Sequence, residues 1–388
     1  MKLIISFLFL VAFFLLINTS HKIKADIINE EVLKIGVIVP LSGEYQEIGK
    51  SIINSLRMAL NRIDNNKIEI FPRDNVADPN ITLKVAKELE QIGVPIVIGP
   101  VFHDNLIYLN EIKNISFISL TNKTTDIPKN VISAGINAHS QFQTIINFLE
   151  KENLSKTIFL IPRSEHENEV KKNLTKIKHK FWKIYSYDIN PDKLTKQIQQ
   201  ITKYKERKED LRRRIALLEN SNSFESKKKL EILKKKDTIG KVNFDSIIIA
   251  DFDESLKSIT TSFLYSDVDS AKIKFITLNQ WFDDSLFKEN STNYIYFPSI
   301  NYDKYNKFRE TYFINFKTYP NKISIIAYDI LGLIYYLNKK NKIKNKTNLF
   351  SKKTKFVGEI GNFRIENNKV NYQLELYQVN NNKFIKIN

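Results

Sequence analysis

The sequence predicts an α/β fold made of two doubly wound lobes with parallel sheets. Short apolar runs typical of buried strands alternate with segments of helical periodicity, and the alternation occurs in two successive series. Strand–helix–strand units cross over with a right hand, so each series predicts one parallel sheet. The length of 388 residues is enough for two such units.

The first strand–loop–helix unit is the most clearly marked. Residues 33–39 form a short β-branched run that Pro40 closes, which indicates a strand buried on both faces. Ser42 and Gly43 follow in a tight loop, and helical spacing begins near Glu44. Open α/β sheets bind ligands at the carboxyl ends of their strands, where this loop should lie. The alternative is that the loop is only a turn within an ordinary α/β domain.

The remaining elements are predicted by the same signals. One helix begins at Asp78, a favourable N-cap residue, with Pro79 at its first position. Apolar runs predict further strands at 67–71, 94–98, 115–119, 131–134, 156–161, 182–187, 244–250 and 273–278. Periodicity predicts further helices at 104–114, 139–150, 165–178, 255–264, 302–319 and 324–338, and antiparallel strands at 361–366 and 372–379.

A charged insertion at about residues 192–238 interrupts the second series. Its leucines and isoleucines recur at spacings near three and four on both sides of a turn at 220–223. This pattern predicts an antiparallel helical hairpin. The hairpin is either a partner-binding arm or a solvated extension of the second lobe.

Residues 1–25 have the pattern of a signal peptide. Lys2 precedes an apolar run at 3–17, a polar stretch follows, and Ala25 is a suitable cleavage point. An uncleaved N-terminal anchor is the alternative interpretation. No later stretch is long and apolar enough to cross a bilayer, so no transmembrane span is expected in the mature chain, which should be exported.

Composition and charge narrow the possible chemistry. The chain has no cysteine, which excludes disulfides, thiolate metal sites and a lipid-anchor Cys. The net charge is +17, and removing residues 1–25, which carry three lysines and no acid, leaves +14. Export argues against nucleic acid as the partner of this charge. The options left are a solvated basic surface and attraction to anionic lipid or wall polymer.

Several motifs, in this order, resemble type I periplasmic binding proteins of the leucine/isoleucine/valine class. They are IGVIVPLSG at 35–43, Asp74 followed by Asp78-Pro79, VIGP at 97–100, FISLTN at 117–122, AYDI at 327–330 and GNFRI at 361–365. Within that superfamily, PRD at 72–74, IGPVF at 98–102 and TLNQWFD at 277–283 are similar to the penicillin-binding protein activator branch.

The resemblance implies two lobes joined by a hinge of three crossover segments. The first lobe would comprise residues 32–137 and 299–345. The second would comprise residues 138–298 and 346–388, with the helical insertion at about 192–238. Lobes of this kind close over a ligand held between them.

The resemblance also implies where a ligand would be held. The first-lobe candidates are Ser42, Gly43, His103, Ser119, Thr121 and Asn122, and the second-lobe candidates are Phe252, Asp253, Gln280 and Trp281. Position 103 is His where amino-acid receptors often have Ser, and 279–280 is Asn-Gln where an acid is common. The α-amino-acid clamp is therefore incomplete, although Asp253 is able to hold an ammonium group.

We expect these candidates to converge on one cleft between the lobes. Each also has a structural alternative: a helix cap for His103, a solvated loop acid for Asp253, and packing against the wall between the lobes for Trp281. The Ser42–Gly43 pair has the alternative of ordinary turn chemistry.

Enzyme motifs are missing from the sequence. It has no Gly-x-Ser-x-Gly elbow, phosphate loop or Rossmann glycine pattern, and His166 lacks the i, i+4 partner of a metalloprotease helix. Together with the missing enzyme motifs, the resemblance implies a non-catalytic, cofactor-free binding protein of the periplasm. The first hypothesis is an accessory factor of cell-wall synthesis, with a cell-wall synthase as partner. The second is a substrate-binding protein for amino acids or similar polar solutes, with an ABC permease as partner.

Overall fold

The computed structural model describes residues 32–63, 67–164, 167–221, 223–339 and 354–387. The predicted signal segment, 1–25, lies outside the described residues. Within these ranges no helix is both long enough and apolar enough to span a bilayer.

The strands of the described residues form two sheets. The strands are β1 (Leu33–Val39), β2 (Ile68–Asp74), β3 (Ile96–Ile98), β4 (Ser116–Ser119), β5 (Val131–Ser133), β6 (Thr157–Pro162), β7 (Lys183–Tyr187), β8 (Ser246–Ile249), β9 (Lys274–Thr277), β10 (Tyr296–Ser299), β11 (Thr354–Val357), β12 (Asn362–Glu366), β13 (Lys369–Tyr372), β14 (Glu375–Asn380) and β15 (Lys383–Ile387). The first sheet has the order β11-β12-β13-β5-β4-β3-β1-β2, and the second has the order β15-β14-β10-β9-β8-β6-β7. Neighbouring strands from β1 to β10 pair in parallel.

The helices connect the parallel strands and cover the sheets. They are α1 (Gln46–Ile63), α2 (Pro79–Gln91), α3 (Ala138–Lys151), α4 (Glu167–Leu174), α5 (Pro191–Ile201), α6 (Tyr204–Glu219), α7 (Phe224–Lys234), α8 (Asp253–Tyr265), α9 (Tyr302–Phe316) and α10 (Ser324–Lys339). Residues 104–114, predicted as one helix, instead form two short 3-10 turns. The first turn is held by Asn105, which is buried and donates to the carbonyl oxygen of Ala77 at 2.8 Å.

Helix α1 packs tightly against the end of β1. Gly49 makes this possible, because a Cβ atom there would lie 1.8 Å from the carbonyl oxygen of Pro40. The helix then buries Ile52, Leu56 and Ala59 on the sheet. The loop between β1 and α1 is therefore held at the carboxyl edge of the first sheet.

Each sheet has an apolar core on both faces. In the first sheet, α1 and α10 cover one face, and α2 covers the other with Val85 and Leu89. In the second sheet, α5 and α8 cover one face, and α3 covers the other with Phe142 and Ile145. The predicted two-lobed α/β fold with parallel sheets is confirmed.

Three crossover segments join the lobes, and they hydrogen-bond to the chain beside them. Asn137, between β5 and α3, caps α3 and donates to the carbonyl oxygen of Val370 at 2.7 Å. Asn301, between β10 and α9, caps α9 and donates to the carboxylate of Glu375 at 3.2 Å. The third crossover lies between β13 and β14. Two of the crossovers thus bind the strands on either side of the third.

The C-terminal segment differs from the sequence prediction, which placed all of 346–388 in the second lobe. Strands β11 to β13 extend the first sheet, because Lys369 of β13 pairs in parallel with Ser133 of β5. Phe363, Ile365 and Val370 are buried in the core beside it. Only β14 and β15 join the second sheet, where β14 pairs antiparallel with β10.

The insertion at 192–238 contains three helices. Helix α5 packs against α8 and belongs to the body of the second lobe, while α6 and α7 pair as a hairpin. Lys203, in the left-handed backbone region, separates α5 from α6. We call the hairpin of α6 and α7 the arm.

A buried acid should make stability depend on pH. Asp329 in α10 accepts the N–H groups of Glu359 at 2.9 Å and Ile360 at 2.8 Å, and burial raises its pKa from 3.8 to about 6. The folded chain therefore holds this proton more tightly than the unfolded chain, so stability is lost as the pH rises from about 4 to about 6. The loss should be roughly 3 kcal/mol.

Urea unfolding at pH 4.5 and 7 checks this prediction, with Asp329→Asn as the comparison. The asparagine does not titrate, so the free energy of unfolding of the wild type should fall relative to the variant between the two pH values. An equal pH dependence in both proteins would contradict it.

Candidate functional site

A cavity of about 700 Å³ lies between the two lobes. Its walls are the loops that follow the carboxyl ends of β1 to β5, the start of α10, and the loops that follow β8 and β9. Seven of the predicted residues line it: His103, Thr121, Asn122, Phe252, Asp253, Gln280 and Trp281. The lining residues come from both lobes, so a molecule in the cavity would contact both.

Three of the predicted residues do not line the cavity. The hydroxyl of Ser42 donates to the carboxylate of Asp74, and Gly43 forms the adjacent turn with φ +76°. Burial opposes ionisation of Asp74, but hydrogen bonds from Ser42 and nearby backbone outweigh it and lower its pKa. Ser119 is fully buried and donates to the carbonyl oxygen of Pro100 at 2.8 Å. The expectation that all ten residues converge is wrong for these three.

On the first lobe, the lining combines a histidine with short polar side chains. His103 begins a 3-10 turn, and its Nε2 lies 3.0 Å from the carbonyl oxygen of Thr125. Thr121 accepts the N–H of Lys123 at 3.2 Å. Gly135 permits the close approach behind them, since a Cβ atom there would lie 2.5 Å from the backbone of Thr121.

On the second lobe, the loop after β8 presents an acid to the cavity. Phe252 precedes α8, and Asp253 opens the helix with φ +49° and an exposed side chain. Among the described residues, no hydrogen bond or ion pair engages the Asp253 carboxylate. The neighbouring Asp251 is occupied, because it accepts the Phe252 N–H at 2.8 Å and the hydroxyls of Tyr187 and Ser255.

Both amide side chains of the loop after β9 make hydrogen bonds, although among the described residues the buried Nδ2 of Asn279 has no partner. Gln280 is buried, and its Nε2 donates to the carbonyl oxygens of Asp251 at 3.1 Å and Leu278 at 3.2 Å. Asn279 is also buried, and its Oδ1 accepts the N–H of Trp281 at 3.0 Å. Gln280 therefore holds the loop instead of offering a free donor to a ligand.

Two aromatic side chains leave this loop in different directions. Trp281 and Phe282 both have positive φ angles, +51° and +55°. The Trp281 side chain lines the cavity, whereas Phe282 is buried with its ring centroid 4.7 Å from that of Tyr302 and 4.9 Å from that of Tyr377. The buried Phe282 thus fixes the position of Trp281 at the cavity wall.

Sequence reasoning missed several lining residues. The rings of Tyr45 and Phe102 lie on the first-lobe wall with their centroids 4.7 Å apart. Each sits within three residues of a predicted loop position, so a wider window around Ser42-Gly43 and His103 would have found them. Lys322 comes from the segment before α10, which no strand-end rule identifies.

Polar side chains of the two lobes also contact each other directly. Lys322 of the first lobe pairs with Asp283 of the second at 3.2 Å. Elsewhere, Glu169 of α4 accepts the N–H of Thr124 at 3.4 Å and the hydroxyl of Thr125, both on the first lobe. Burial disfavours the ionised form of Glu169, but these hydrogen bonds lower its pKa overall. The described structure therefore has its lobes in contact around the cavity.

Metal chemistry has no obvious location in the part of the chain that the structure describes. In that part, no three His, Asp or Glu side chains cluster in a way that could hold a metal ion.

The family model for periplasmic binding proteins matches residues 32–178. No curated protein matches the sequence. Several solved structures are similar over 92% of this chain. The C domain of LpoA from Haemophilus influenzae, described as a regulator of PBP1A, has a TM-score of 0.61 at 14% identity and is covered completely. Full-length LpoA is covered over 59% of its length.

Two further similar structures are transport proteins. LivJ from Streptococcus pneumoniae, a branched-chain amino acid transporter substrate-binding protein in complex with isoleucine, has a TM-score of 0.54 at 17% identity and is covered over 99%. A solute-binding protein of an ABC transporter from Rhodopseudomonas palustris, in complex with 3,4-dihydroxybenzoic acid, has a TM-score of 0.58 at 16% identity and is covered over 96%. Because the sequence identities are this low, the structural similarities show a shared fold alone.

Proposed function

We propose that this chain, which has the fold of a type I periplasmic binding protein, is an exported, non-catalytic accessory factor of cell-wall synthesis, similar in role to penicillin-binding protein activators. The observation that carries the proposal is the second-lobe wall of the cavity. It has amides at 279–280 where the amino-acid receptors it resembles commonly have an acid, and the Gln280 amide donates to the backbone carbonyl oxygens of Asp251 and Leu278. A neutral amide at these two positions supplies no charge to stabilise an ammonium group.

The arm gives a second support for a role as an interaction protein. In α7 no side chain is buried, and in α6 only Arg207 and Leu211 are buried. A projecting hairpin is a surface that solute binding in the cavity does not require.

A solute receptor for an ABC importer is the second candidate function. The cavity of about 700 Å³ is in the usual range for small-molecule sites, and residues of both lobes line it. The unpartnered carboxylate of Asp253 is the one described acid on the second-lobe wall that is available to a cationic group.

Pull-down with a purified cell-wall synthase, together with the rate of glycan polymerisation, tests the proposed function. We expect the chain to retain the synthase and change its rate. Asp253→Asn is the matched control, because an accessory role should survive loss of the cavity acid. Failure to bind any wall synthase would contradict the proposal.

Amino acids should not stabilise this protein. A receptor at a ligand concentration about one hundred times its Kd gains about 2.7 kcal/mol of folding free energy, which thermal unfolding detects readily. We expect no shift of the unfolding temperature with isoleucine or the other standard amino acids. A shift that Asp253→Asn abolishes would instead establish the receptor function.

A further inference from the structure

The tip of the arm exposes large apolar side chains. We define the arm tip as residues 213–219 of α6 together with 223–229, which are the N-cap and the first six residues of α7. Phe224, the first residue of α7, has 84% of its surface exposed, and Leu217, in the last turn of α6, has 68% exposed. The two lie at the same end because the short turn of the hairpin joins α6 to α7.

Cationic side chains accompany both apolar residues. Lys227 and Lys228 are three and four positions after Phe224, so they share its helix face. Arg214 is three positions before Leu217 and shares the face of that residue. Within the described residues, these three side chains are exposed and take part in no ion pair.

The excess of positive charge extends over the whole arm. The arm and the residues that flank it, 203–238, contain thirteen Lys and Arg against seven Asp and Glu. Several acids are neutralised along the arm itself, as in the pairs Lys208–Asp237 at 3.1 Å and Lys234–Glu219 at 2.8 Å. The positive charge that is left is therefore displayed outward, including at the arm tip.

We infer that the arm tip docks on an anionic lipid bilayer. Phe224 and Leu217 would enter the boundary between headgroups and acyl chains, while Lys227, Lys228 and Arg214 remain at the lipid phosphates. Long cationic side chains beside inserted apolar residues are suited to this position, since their stems lie along apolar surface and their charges stay in water.

The size and shape of the tip favour lipid over a protein partner. Stable protein interfaces bury about 800 Å² on each side, far more than two apolar side chains at the end of a hairpin provide. A bilayer offers an apolar interior and a negative surface together, without needing a complementary pocket. The inference goes beyond the proposed function and rests on it only for the exported location, where membrane lipid is within reach.

Flotation with vesicles tests the inference. Vesicles of phosphatidylglycerol and phosphatidylcholine should bind the wild-type chain, and vesicles of phosphatidylcholine alone should not. Lys227→Gln with Lys228→Gln should weaken binding roughly thirtyfold, since each lysine near an anionic surface contributes about 1 kcal/mol. Phe224→Ser should weaken it about tenfold or more.

Matched variants keep the outcome interpretable. Ile314→Ser removes an apolar side chain that is 67% exposed on α9, and Lys84→Gln with Lys129→Gln removes the same charge from exposed positions on the first lobe. Both should bind vesicles like the wild type. Circular dichroism should show that every variant is folded, as Phe224 makes little contact with the body.

Three results would overturn the lipid assignment: no binding to anionic vesicles, equal binding by the arm and control variants, or binding to isolated wall polymer but not to vesicles. A negative vesicle result would leave the synthase pull-down, which contains no lipid, unaffected. The two proposals can therefore fail separately.

Discussion

Replacing Phe282 with alanine should lower the free energy of unfolding by about 3–5 kcal/mol, the range for removing a buried phenylalanine. The side chain is only 3% exposed. Its ring contacts a set of aromatic rings at centroid distances of 4.7 to 5.8 Å: Phe297, Tyr302, Tyr305, Tyr377 and Phe384. These rings cannot all move to fill the space, so the lost contacts add to a residual cavity.

The same substitution should also release the cavity wall. Phe282 and Trp281 are adjacent, and both have left-handed backbone angles that the surrounding packing must maintain. In a Trp182→Phe background, Trp281 is the one remaining tryptophan. We expect its emission to shift to longer wavelength in Phe282→Ala, because the indole loses its fixed position and meets more water.

Urea unfolding measures the first effect, and Phe313→Ala serves as its control. Phe313 lies on α9 with 40% of its surface exposed and stacks on Tyr319 at a centroid distance of 4.9 Å. Its replacement should cost about 1 kcal/mol or less. The prediction would be wrong if the two alanine variants unfolded at the same urea concentration.

Local sequence patterns were sufficient for most of the parallel sheets. Strands such as β1 and β6 are apolar runs bounded by turn residues, and their burial on both faces leaves no competing conformation. The pattern of the C-terminal strands is equally clear, but it does not say which sheet they join. That choice depends on the pairing of Lys369 with Ser133, residues that are far apart in the chain.

The cavity residues were predictable where they follow a strand and face outward. Thr121, Asp253 and Trp281 reach the cavity because they lie just beyond the carboxyl ends of β4, β8 and β9. Ser119 is still inside β4 and is buried for that reason. Ser42 has the right position, but the carboxylate of Asp74 on the adjacent strand accepts its hydroxyl, a partner that the sequence alone does not reveal.

The roles of the side chains were harder to predict than their positions. Gln280 and Phe282 are two positions apart, yet Gln280 hydrogen-bonds to backbone carbonyl oxygens whereas Phe282 packs in an aromatic core. The left-handed backbone at 281–282 sets the direction of these side chains. Neither position is a glycine, so the sequence does not indicate a left-handed turn there. The same holds for the arm. Its helices were predicted, but the residue that attaches it to the second lobe was not.

That residue is Arg207, and replacing it with methionine should cost roughly 2–4 kcal/mol. Its side chain is only 7% exposed. The guanidinium donates to the carbonyl oxygens of Thr202 at 3.1 Å and of Ser266, and to the hydroxyl of Thr238 at 3.1 Å. Both carbonyls belong to buried residues, and each buried acceptor left without a donor costs about 1–3 kcal/mol.

The loss should be largest in the arm, because these bonds join α6 to the end of α5 and to the turn after α8. Burial lowers the pKa of Arg207, and the nearby carboxylate of Asp267 opposes this effect. The buried guanidinium therefore stays charged. Relative to the wild type, amide hydrogen exchange in Arg207→Met should therefore increase more in α6 and α7 than in β6 or β8. The stability and the exchange rates of Arg207→Lys should lie between those of the wild type and Arg207→Met, because lysine keeps the charge but lacks the planar guanidinium.

Arg212→Met provides the matched control five residues further along α6. The Arg212 side chain is 69% exposed and pairs with Glu209 at 3.5 Å, an arrangement that contributes little to stability. Its replacement should change the free energy of unfolding by about 0.5 kcal/mol or less. If Arg207→Met and Arg212→Met showed the same stability and the same exchange in α6 and α7, the buried guanidinium would not be what holds the arm to the second lobe.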